Sequence, residues 1–238
     1  MDGGFRVSGR KIFCSGVPAG AMLMTTAVYE DPNDGRVVLH LPVPLSAEGV
    51  KVLDTWHTLG MRATGSNDVV LENVFVSDAA IGVRRPAGQW HHVMHIIAMI
   101  AIPLIYSVYV GVAETARDIA LRLAEKRRDD KGVQLLAGEL ENELTGARLA
   151  LQDMIDNGST SQPGPEATNR AMIGRTLAGR GAVRTLERAL ELGSGAGFYR
   201  SAGLERLFRD VQGARFHPMQ EVPQRQYTGR MAFGLPID

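Results

Sequence analysis

The chain has 238 residues, with 26 Lys plus Arg against 26 Asp plus Glu, and 45% of its residues are hydrophobic. That length allows one large or two small domains whose cores need no disulfides. A formal charge of zero argues against nucleic acid as a partner, because phosphate binding needs a surplus of basic groups. The single cysteine, Cys14, excludes an intrachain disulfide and a Cys-rich zinc site. Since no signal peptide is visible in the sequence either, we expect a cytoplasmic protein.

The first 78 residues predict an antiparallel β part. Its candidate strands are short and rich in β-branched residues: FRVSG, MLMTTAVY, RVVLHL and DVVLENVFV. Asp34 and Gly35 stand between two of these runs and are typical of a hairpin turn. Since no helix intervenes, we expect an antiparallel sheet or partial barrel with unpaired edges.

Helical patterns begin after the RRPAG at 84–88. Residues 93–128 predict either one long helix or two, the second starting at Pro103, because proline is well placed in a first turn. Residues 133–157 have the apolar stripe of an amphipathic helix. The 20 residues at 93–112 lack a formal charge and are long enough to span a bilayer. Because the helical pattern continues beyond them without a break, we expect a buried bundle helix and no membrane.

The C-terminal part predicts one more long helix and a short one. The long helix covers residues 167–192, with Gly193 as its candidate C-cap, and Ser201 is the candidate N-cap of the short helix. The tail that follows contains three prolines and is expected to be extended or looped. We therefore predict an α+β multidomain chain. A partial antiparallel β-barrel or sheet domain (1–85) is followed by an up-down four-helix bundle domain with an extended tail (86–238).

The sequence contains no established metal or phosphate-binding motif. His91 and His95 have the i, i+4 spacing that can place two ligands on one helix face. No acidic residue accompanies them as in an HExxH site, so we predict no metal. A GxSxG turn, a P-loop and a GxGxxG after a strand are also absent. The Gly-rich GSGAGF at 193–198 fits two interpretations, a helix stop with a loop or a set of backbone N–H groups for a cofactor phosphate or adenine.

Two clusters contain side chains suited to binding or catalysis. In KIFCSG, a strand would place Phe13 and Ser15 on the same face. An aromatic ring beside a hydroxyl suits a flat heteroaromatic ligand, although any β core offers the same pair. In FRDVQGARFHP (208–218), charged residues and His217 gather at the end of a helix, where a solvated Arg–Asp pair is the alternative. The residues alone indicate a soluble β-plus-α protein that binds a flat cofactor.

Four segments resemble the acyl-CoA dehydrogenase superfamily of flavoproteins. GFRVSGRKIFCSG is similar to the strand pair that packs beside the flavin ring in that family. DTWHTLGMRATGSNDVVLENVFVSD (54–78), the most specific match, resembles the end of the family's β-domain. YVGVAETARDIALRLAEKR (109–127) is similar to the first long helix of the C-terminal bundle, and LELGSGAGFYRSAGLERLFRD (190–210) to its last part. The similarity covers nearly the whole chain and starts partway through the family's pattern.

The resemblance implies that the chain binds FAD. By position, Phe13 and Ser15 would lie against the isoalloxazine ring. Glu191, Ser194 and Gly195 would approach the adenine half of FAD across a dimer interface. The resemblance also implies a small-molecule substrate and self-association as a homodimer or homotetramer.

The sequence departs from the family pattern at the catalytic base. Family dehydrogenases remove the α-proton of an acyl-CoA thioester with a glutamate that follows the final RD helix. Here Pro218 occupies that position, and Glu221, three residues further on, is the candidate base. Ile102 stands where an arginine usually precedes the bundle's proline, and KRRDD (126–130) replaces the Arg-x-Thr-Phe motif that grips the FAD pyrophosphate.

Another branch of the superfamily is similar at these positions. Reduced-flavin aromatic and heteroatom monooxygenases have an FxSG strand whose serine hydrogen-bonds flavin N5, and an FRD…H tail whose histidine assists oxygen transfer or activates a substrate hydroxyl. Ser15 and His217 match this pair, and Thr64 and Ser66 lie in the motif nearest the substrate mouth. The resemblance thus implies α,β-dehydrogenation of an acyl-CoA as the family default. The alternatives are a monooxygenase acting on an aromatic compound, with FMN possible in place of FAD, and a non-catalytic subunit.

Overall fold

The computed structural model describes residues 3–237. They form two compact units, of which the first ends at His91 and the second begins at His92. The first unit is built from strands and the second from helices, so the chain is a mixed α+β protein. The sequence analysis puts this change of character after residue 85.

The β-unit contains six strands in two antiparallel sheets. The strands are β1 (Gly4–Lys11), β2 (Met22–Asp31), β3 (Gly35–Pro44), β4 (Val50–Val52), β5 (Val69–Ser77) and β6 (Val83–Pro86). One sheet has the order β1-β5-β4 and the other the order β2-β3-β6. Neither sheet closes on itself, so the antiparallel prediction is confirmed and a closed barrel is not.

The hairpin between β2 and β3 follows the predicted turn chemistry. Asp31 pairs with Gly35, and the Asp31 carboxylate accepts hydrogen bonds from the backbone N–H groups of Asn33 (2.8 Å) and Asp34 (3.0 Å). Gly35 has a φ of 68°, which glycine adopts without strain. The local sequence therefore sets the register of these two strands.

Alternating apolar residues of β3 form the centre of the β-unit core. Val37, Leu39, Leu41 and Val43 are all buried, as the two-residue period of a strand requires. They pack in one cluster with buried valines and Leu71 from the other sheet, so the two sheets share a single core. Burial of each such side chain contributes roughly 1.5–3 kcal/mol.

Two strands were not predicted. β4 has only three residues, and β6 covers the two arginines just before the predicted change to helix. Both lie at sheet edges, where one neighbour suffices and charged residues or a proline are tolerated. Short edge strands lack the apolar alternation on which the sequence argument depends.

The helical unit contains three long helices and two short ones. They are α1 (His92–Ala124), α2 (Lys131–Thr160), α3 (Pro165–Gly197), α4 (Leu204–Val211) and α5 (Glu221–Ala232). α3 packs against both α1 and α2, and the short helices α4 and α5 pack on α3. A bundle of four comparable helices is therefore not confirmed.

α1 is one continuous helix, with Pro103 buried inside it. Within residues 3–237 it is the helix that is long and apolar enough to cross a membrane, with a mean hydropathy of 2.3 over its most apolar window. It packs along α2 and α3, and its alanines at 113, 116 and 120 are fully buried. The single-helix alternative of the sequence analysis is confirmed.

The C-terminal part departs from the prediction at three places. α3 runs past Gly193, and its helical path breaks at Ser194 (φ 51°, ψ −151°), where Arg127 donates to the carbonyl of Leu192 (2.8 Å). The short helix α4 begins at Leu204, preceded by Gly203 instead of being capped by Ser201. The tail expected to be extended is helical from Glu221.

The helical tail has a physical explanation in the position of its second proline. Pro223 lies in the first turn of α5, where backbone N–H groups have no intrahelical partner. Proline therefore costs little there. Gln224 and Tyr227 then bury one face of α5 in the helical unit. The prediction of an extended tail was wrong because it depended on the number of prolines and not on their positions.

Candidate functional site

A tight turn follows β1 and presents Phe13 and Ser15. β1 ends at Lys11, so the two residues do not share one strand face as predicted. Phe13 has a positive φ of 57°, and its carbonyl accepts a hydrogen bond from the Ser15 N–H (3.0 Å). The Gly16 N–H in turn donates to the carbonyl of Thr64 (2.8 Å). The turn is therefore anchored to a second loop.

A chain of hydroxyl groups joins three of the predicted site residues. Ser15 Oγ lies 2.8 Å from Ser66 Oγ, which lies 2.7 Å from Thr64 Oγ1. Thr64 Oγ1 donates to the carbonyl of Met61 (2.8 Å), and Ser66 is only 4% exposed. The structure thus brings together one residue predicted to contact cofactor and two predicted to contact substrate.

The direction of this hydroxyl chain follows from counting protons. Each hydroxyl has one proton to donate. Since Thr64 donates to a carbonyl, Ser66 must donate to Thr64, and Ser15 must donate to Ser66. Ser15 is an exposed residue, and within residues 3–237 no group donates to its oxygen, so this oxygen presents an acceptor to a ligand.

The turn lines a cavity of the β-unit. The cavity has a volume of about 590 Å³, within the range of small-molecule sites. Phe13 is 66% exposed, with its ring edge-to-face with Trp56 at 6.0 Å, and Met22 and Met24 are exposed beside it. An apolar wall next to one hydrogen-bond acceptor suits a flat ring that has a donor at its edge.

His217 lies in the helical unit within a cluster of buried polar groups. Its Nε2 is 2.7 Å from the phenol oxygen of Tyr109, which is 1% exposed. Arg175, also 1% exposed, donates through one Nη atom to the carbonyls of Ala214 (3.2 Å) and His217 (3.0 Å). Tyr106 donates to the same Ala214 carbonyl (2.6 Å) and places its ring against the guanidinium.

The electrostatics of this cluster keep its members neutral apart from Arg175. Burial, assisted by the nearby Arg175 charge, lowers the pKa of His217 below its usual value. Burial raises the pKa of Tyr109 to about 12. At neutral pH a neutral imidazole therefore faces a protonated phenol, and the imidazole can both donate and accept a proton.

Glu221, the other candidate catalytic residue, lies in a different environment. Its carboxylate accepts from Arg180 with a shortest distance of 2.6 Å, and within residues 3–237 it forms no hydrogen bond with His217. The hydrogen bonds from Arg180 lower the pKa of Glu221. A carboxylate stabilised in this way is a weak base.

The residues predicted near adenine lie at the break in α3. Ser194 and Gly195 are exposed, and Ser194 has the non-helical conformation described above. The Glu191 carboxylate is held by Arg188 (2.6 Å). Their contact with a cofactor stays a prediction, as does every site role assigned from the sequence.

No cluster of three or more His, Cys, Asp or Glu that could hold a metal ion occurs within residues 3–237. His95, which has the i, i+4 spacing with His91, forms a 2.7 Å hydrogen bond through Nδ1 with Thr168. That bond joins α1 to α3.

The sequence analysis missed Tyr109 and Arg175. The sequence contains a signal for each residue. A tyrosine in an apolar stretch needs a partner for its hydroxyl, and Arg175 interrupts a helix face of small buried residues. The sequence does not show that these residues are partners, because Tyr109 and His217 are 108 residues apart.

Comparison with known proteins shows which family the chain resembles. Residues 104–221 match the model of the acyl-CoA dehydrogenase C-terminal domain. An amino sugar nitrososynthase of Streptomyces peucetius is 30% identical over 98% of this chain and 60% of its own length. The oxygenase subunit of a flavin-dependent monooxygenase of Rhodococcus jostii is 26% identical over 100% of this chain and 68% of its own.

A solved structure has the same fold. KijD3, determined in complex with FMN and a dTDP-linked amino sugar, superposes with a TM-score of 0.91 at 26% identity, covering 100% of this chain and 61% of KijD3. The chain thus spans about three fifths of the length of the nitrososynthase and of KijD3. The matched domain, the relatives and the shared fold agree with the segments recognised in the sequence, and the resemblance to the acyl-CoA dehydrogenase superfamily is confirmed.

Proposed function

We propose that the chain belongs to a flavin-dependent monooxygenase of this superfamily, in which Ser15 contacts the flavin and His217 transfers a proton to or from the substrate. The observation that supports it best is the buried pairing of His217 with Tyr109, set against the ion-paired Glu221. A neutral imidazole suits proton transfer at neutral pH. The nitrososynthase, the monooxygenase subunit and KijD3 with its FMN favour the same reaction class.

The residues around the β-unit cavity fit a flavin ring. The exposed Phe13 side chain offers an apolar face, and the Ser15 oxygen is an acceptor because its proton is given to Ser66. Reduced flavin, when bound, supplies the electrons that activate O₂ for oxygen transfer. The protein binds and orients the ring, and its anchored turn keeps the acceptor in place.

His217 would act on the substrate through its ring. Because burial and Arg175 keep the imidazole neutral, its ring N–H can donate a proton to the reacting group, and the ring nitrogen can take that proton back later. The substrate we propose is a small molecule with an electron-rich nitrogen, sulfur or aromatic carbon. The similarity to an amino sugar nitrososynthase and to a dibenzothiophene monooxygenase supports this class.

The first test is a flavin titration of the full chain. Oxidised and dithionite-reduced FAD and FMN are each added, and binding is followed by fluorescence quenching and the visible spectrum. We expect saturable binding near one flavin per chain, weakened about tenfold in Ser15→Ala through loss of a hydrogen bond at the ring. Ser159→Ala, which removes an exposed hydroxyl on α2, is the matched control.

Two results would contradict the proposal. If the folded chain binds neither flavin, the non-catalytic subunit interpretation takes its place. If flavin binds, oxygen uptake is then measured with amine, thioether and phenol substrates in parallel with acyl-CoA oxidation by oxidised flavin. Acyl-CoA oxidation without any oxygen transfer would favour the dehydrogenase interpretation.

A further inference from the structure

The hydrogen bond between Tyr109 and His217 determines which nitrogen of the ring has the proton. Within residues 3–237 the Tyr109 oxygen has one hydrogen-bond partner, Nε2 of His217. A buried hydroxyl that kept its proton unpaired would be strongly unfavourable. The phenol therefore donates to Nε2, and in the neutral ring the proton lies on Nδ1.

Nδ1 is left available by this arrangement. Within the described chain it has no hydrogen-bond partner, and His217 is partly exposed. The nitrogen with the proton is thus the one that a substrate could meet. The Tyr109 ring also packs on the imidazole with centroids 5.6 Å apart, which restricts rotation of the ring.

Arg175 holds the main chain of the same segment. Its two hydrogen bonds to the carbonyls of Ala214 and His217 tie this turn to α3, while Tyr109 ties the ring to α1. The guanidinium is buried, and its Nε has no hydrogen-bond partner within residues 3–237. Such burial is unfavourable for folding alone, so the position of Arg175 points to a use beyond stability.

We infer that Tyr109 and Arg175 are positioning residues for His217, with Tyr109 fixing the tautomer that has its proton on Nδ1 and Arg175 holding the main chain at both carbonyls. This inference rests on the catalytic role proposed above for His217. It adds the nitrogen at which proton transfer takes place and the two residues that present it.

The test uses the full chain labelled with imidazole-¹⁵N histidine. Long-range ¹H–¹⁵N correlation spectra at neutral pH distinguish the two tautomers, and a His217→Gln variant identifies the signals among the six histidines. We expect a protonated Nδ1 in the unmodified chain and a shift toward Nε2 protonation in Tyr109→Phe. Tyr227→Phe, which removes another buried phenol of the helical unit, is the matched control and should leave the pattern unchanged.

The outcomes separate this inference from the proposed function. A protonated Nε2 in the unmodified chain, or an unchanged pattern in Tyr109→Phe, overturns it. In the turnover assay Tyr109→Phe should lower kcat by about tenfold, below the loss for removing the acid–base group itself. If Tyr109→Phe changes the tautomer but His217→Gln leaves turnover intact, the catalytic role of His217 is wrong and the hydrogen-bond assignment stands.

Discussion

The two candidate regions differ in their exposure and in the polar groups that they contain. In the β-unit, the turn with Phe13 and Ser15 lies at an open cavity, and its polar groups are hydroxyls. In the helical unit, His217 is held by the fully buried side chains of Tyr109 and Arg175. The first region is suited to admitting a ligand, and the second is suited to holding one proton donor in place.

The difference lies in how each polar group is stabilised. The hydroxyl chain ends at a backbone carbonyl, so its direction is set without any charge. The histidine cluster contains a buried cation without a carboxylate in hydrogen-bond contact within residues 3–237. Changes in the turn should therefore alter binding, and changes in the histidine cluster should alter turnover and pKa.

The largest expected effect is on turnover. His217→Gln keeps a polar side chain of similar length but cannot transfer a proton, so kcat should fall by about 10²-fold or more. Flavin affinity should be unchanged, since Ser15 and Phe13 are untouched. Single-turnover oxygen transfer and flavin titration measure the two quantities separately. A His217→Gln variant that loses flavin affinity and keeps its rate would contradict the division between the two regions.

A second effect concerns the pKa of His217. The groups that face it are Arg175 from α3 and the phenols of Tyr106 and Tyr109 from α1. Arg175→Met removes the cation and should raise the pKa of His217 toward its usual value, measured by NMR titration. Arg170→Met, which breaks an exposed ion pair, is the control. An unchanged pKa would mean that burial alone lowers it.

The same shift has a consequence for stability. A histidine whose pKa is lowered on folding binds fewer protons in the folded state than in the unfolded state. Its contribution to stability is present above the unfolded value, about 6.5, and is lost as the pH falls through the folded pKa. In Arg175→Met this acid-side loss should be smaller, and urea unfolding at pH 5 and pH 7 measures the difference.

A third and smaller effect concerns the hydroxyl chain. Thr64→Val removes the hydroxyl that donates to Met61, so the β-unit should lose about 1 kcal/mol of stability. Both tryptophans, Trp56 and Trp90, lie in the β-unit, so their fluorescence in urea reports its unfolding. Thr115→Val, which removes a helical hydroxyl in the other unit, should leave that signal unchanged. An equal change in the tryptophan unfolding signal of both variants would show that the hydroxyl groups do not form a local network in the β-unit.

The sequence predicted features that depend on neighbouring residues. The β2–β3 hairpin follows from Asp34 and Gly35, and the apolar stripe predicted at residues 133–157 lies within α2. Phe13 and Ser15 were singled out from the KIFCSG pattern and then from the family resemblance. Their predicted shared strand face was wrong, because β1 ends at Lys11 and Phe13 has a positive φ. Periodicity describes regular elements and gives no information on such turns.

Local sequence patterns could not predict the histidine cluster. His217 could be singled out from its position, whereas its partners Tyr109 and Arg175 meet it only after α1 and α3 have packed. α5 was missed because prolines were counted without asking whether they fall in a first turn. Long-range pairing of polar groups is decided by packing, which a single sequence does not display.

The smallest effect expected is that of Glu221→Gln, and it decides between the two enzymatic interpretations. The carboxylate is held in an ion pair with Arg180 that is partly exposed, so its loss should cost about 0.5 kcal/mol. Because folding lowers the pKa of Glu221, this contribution to stability is present above the usual pKa of a glutamate. It is lost as the pH falls through the lowered pKa. Turnover should change far less than in His217→Gln. If instead Glu221→Gln abolishes substrate oxidation and His217→Gln does not, the glutamate is the base, and α-proton removal from an acyl thioester replaces oxygen transfer as the reaction.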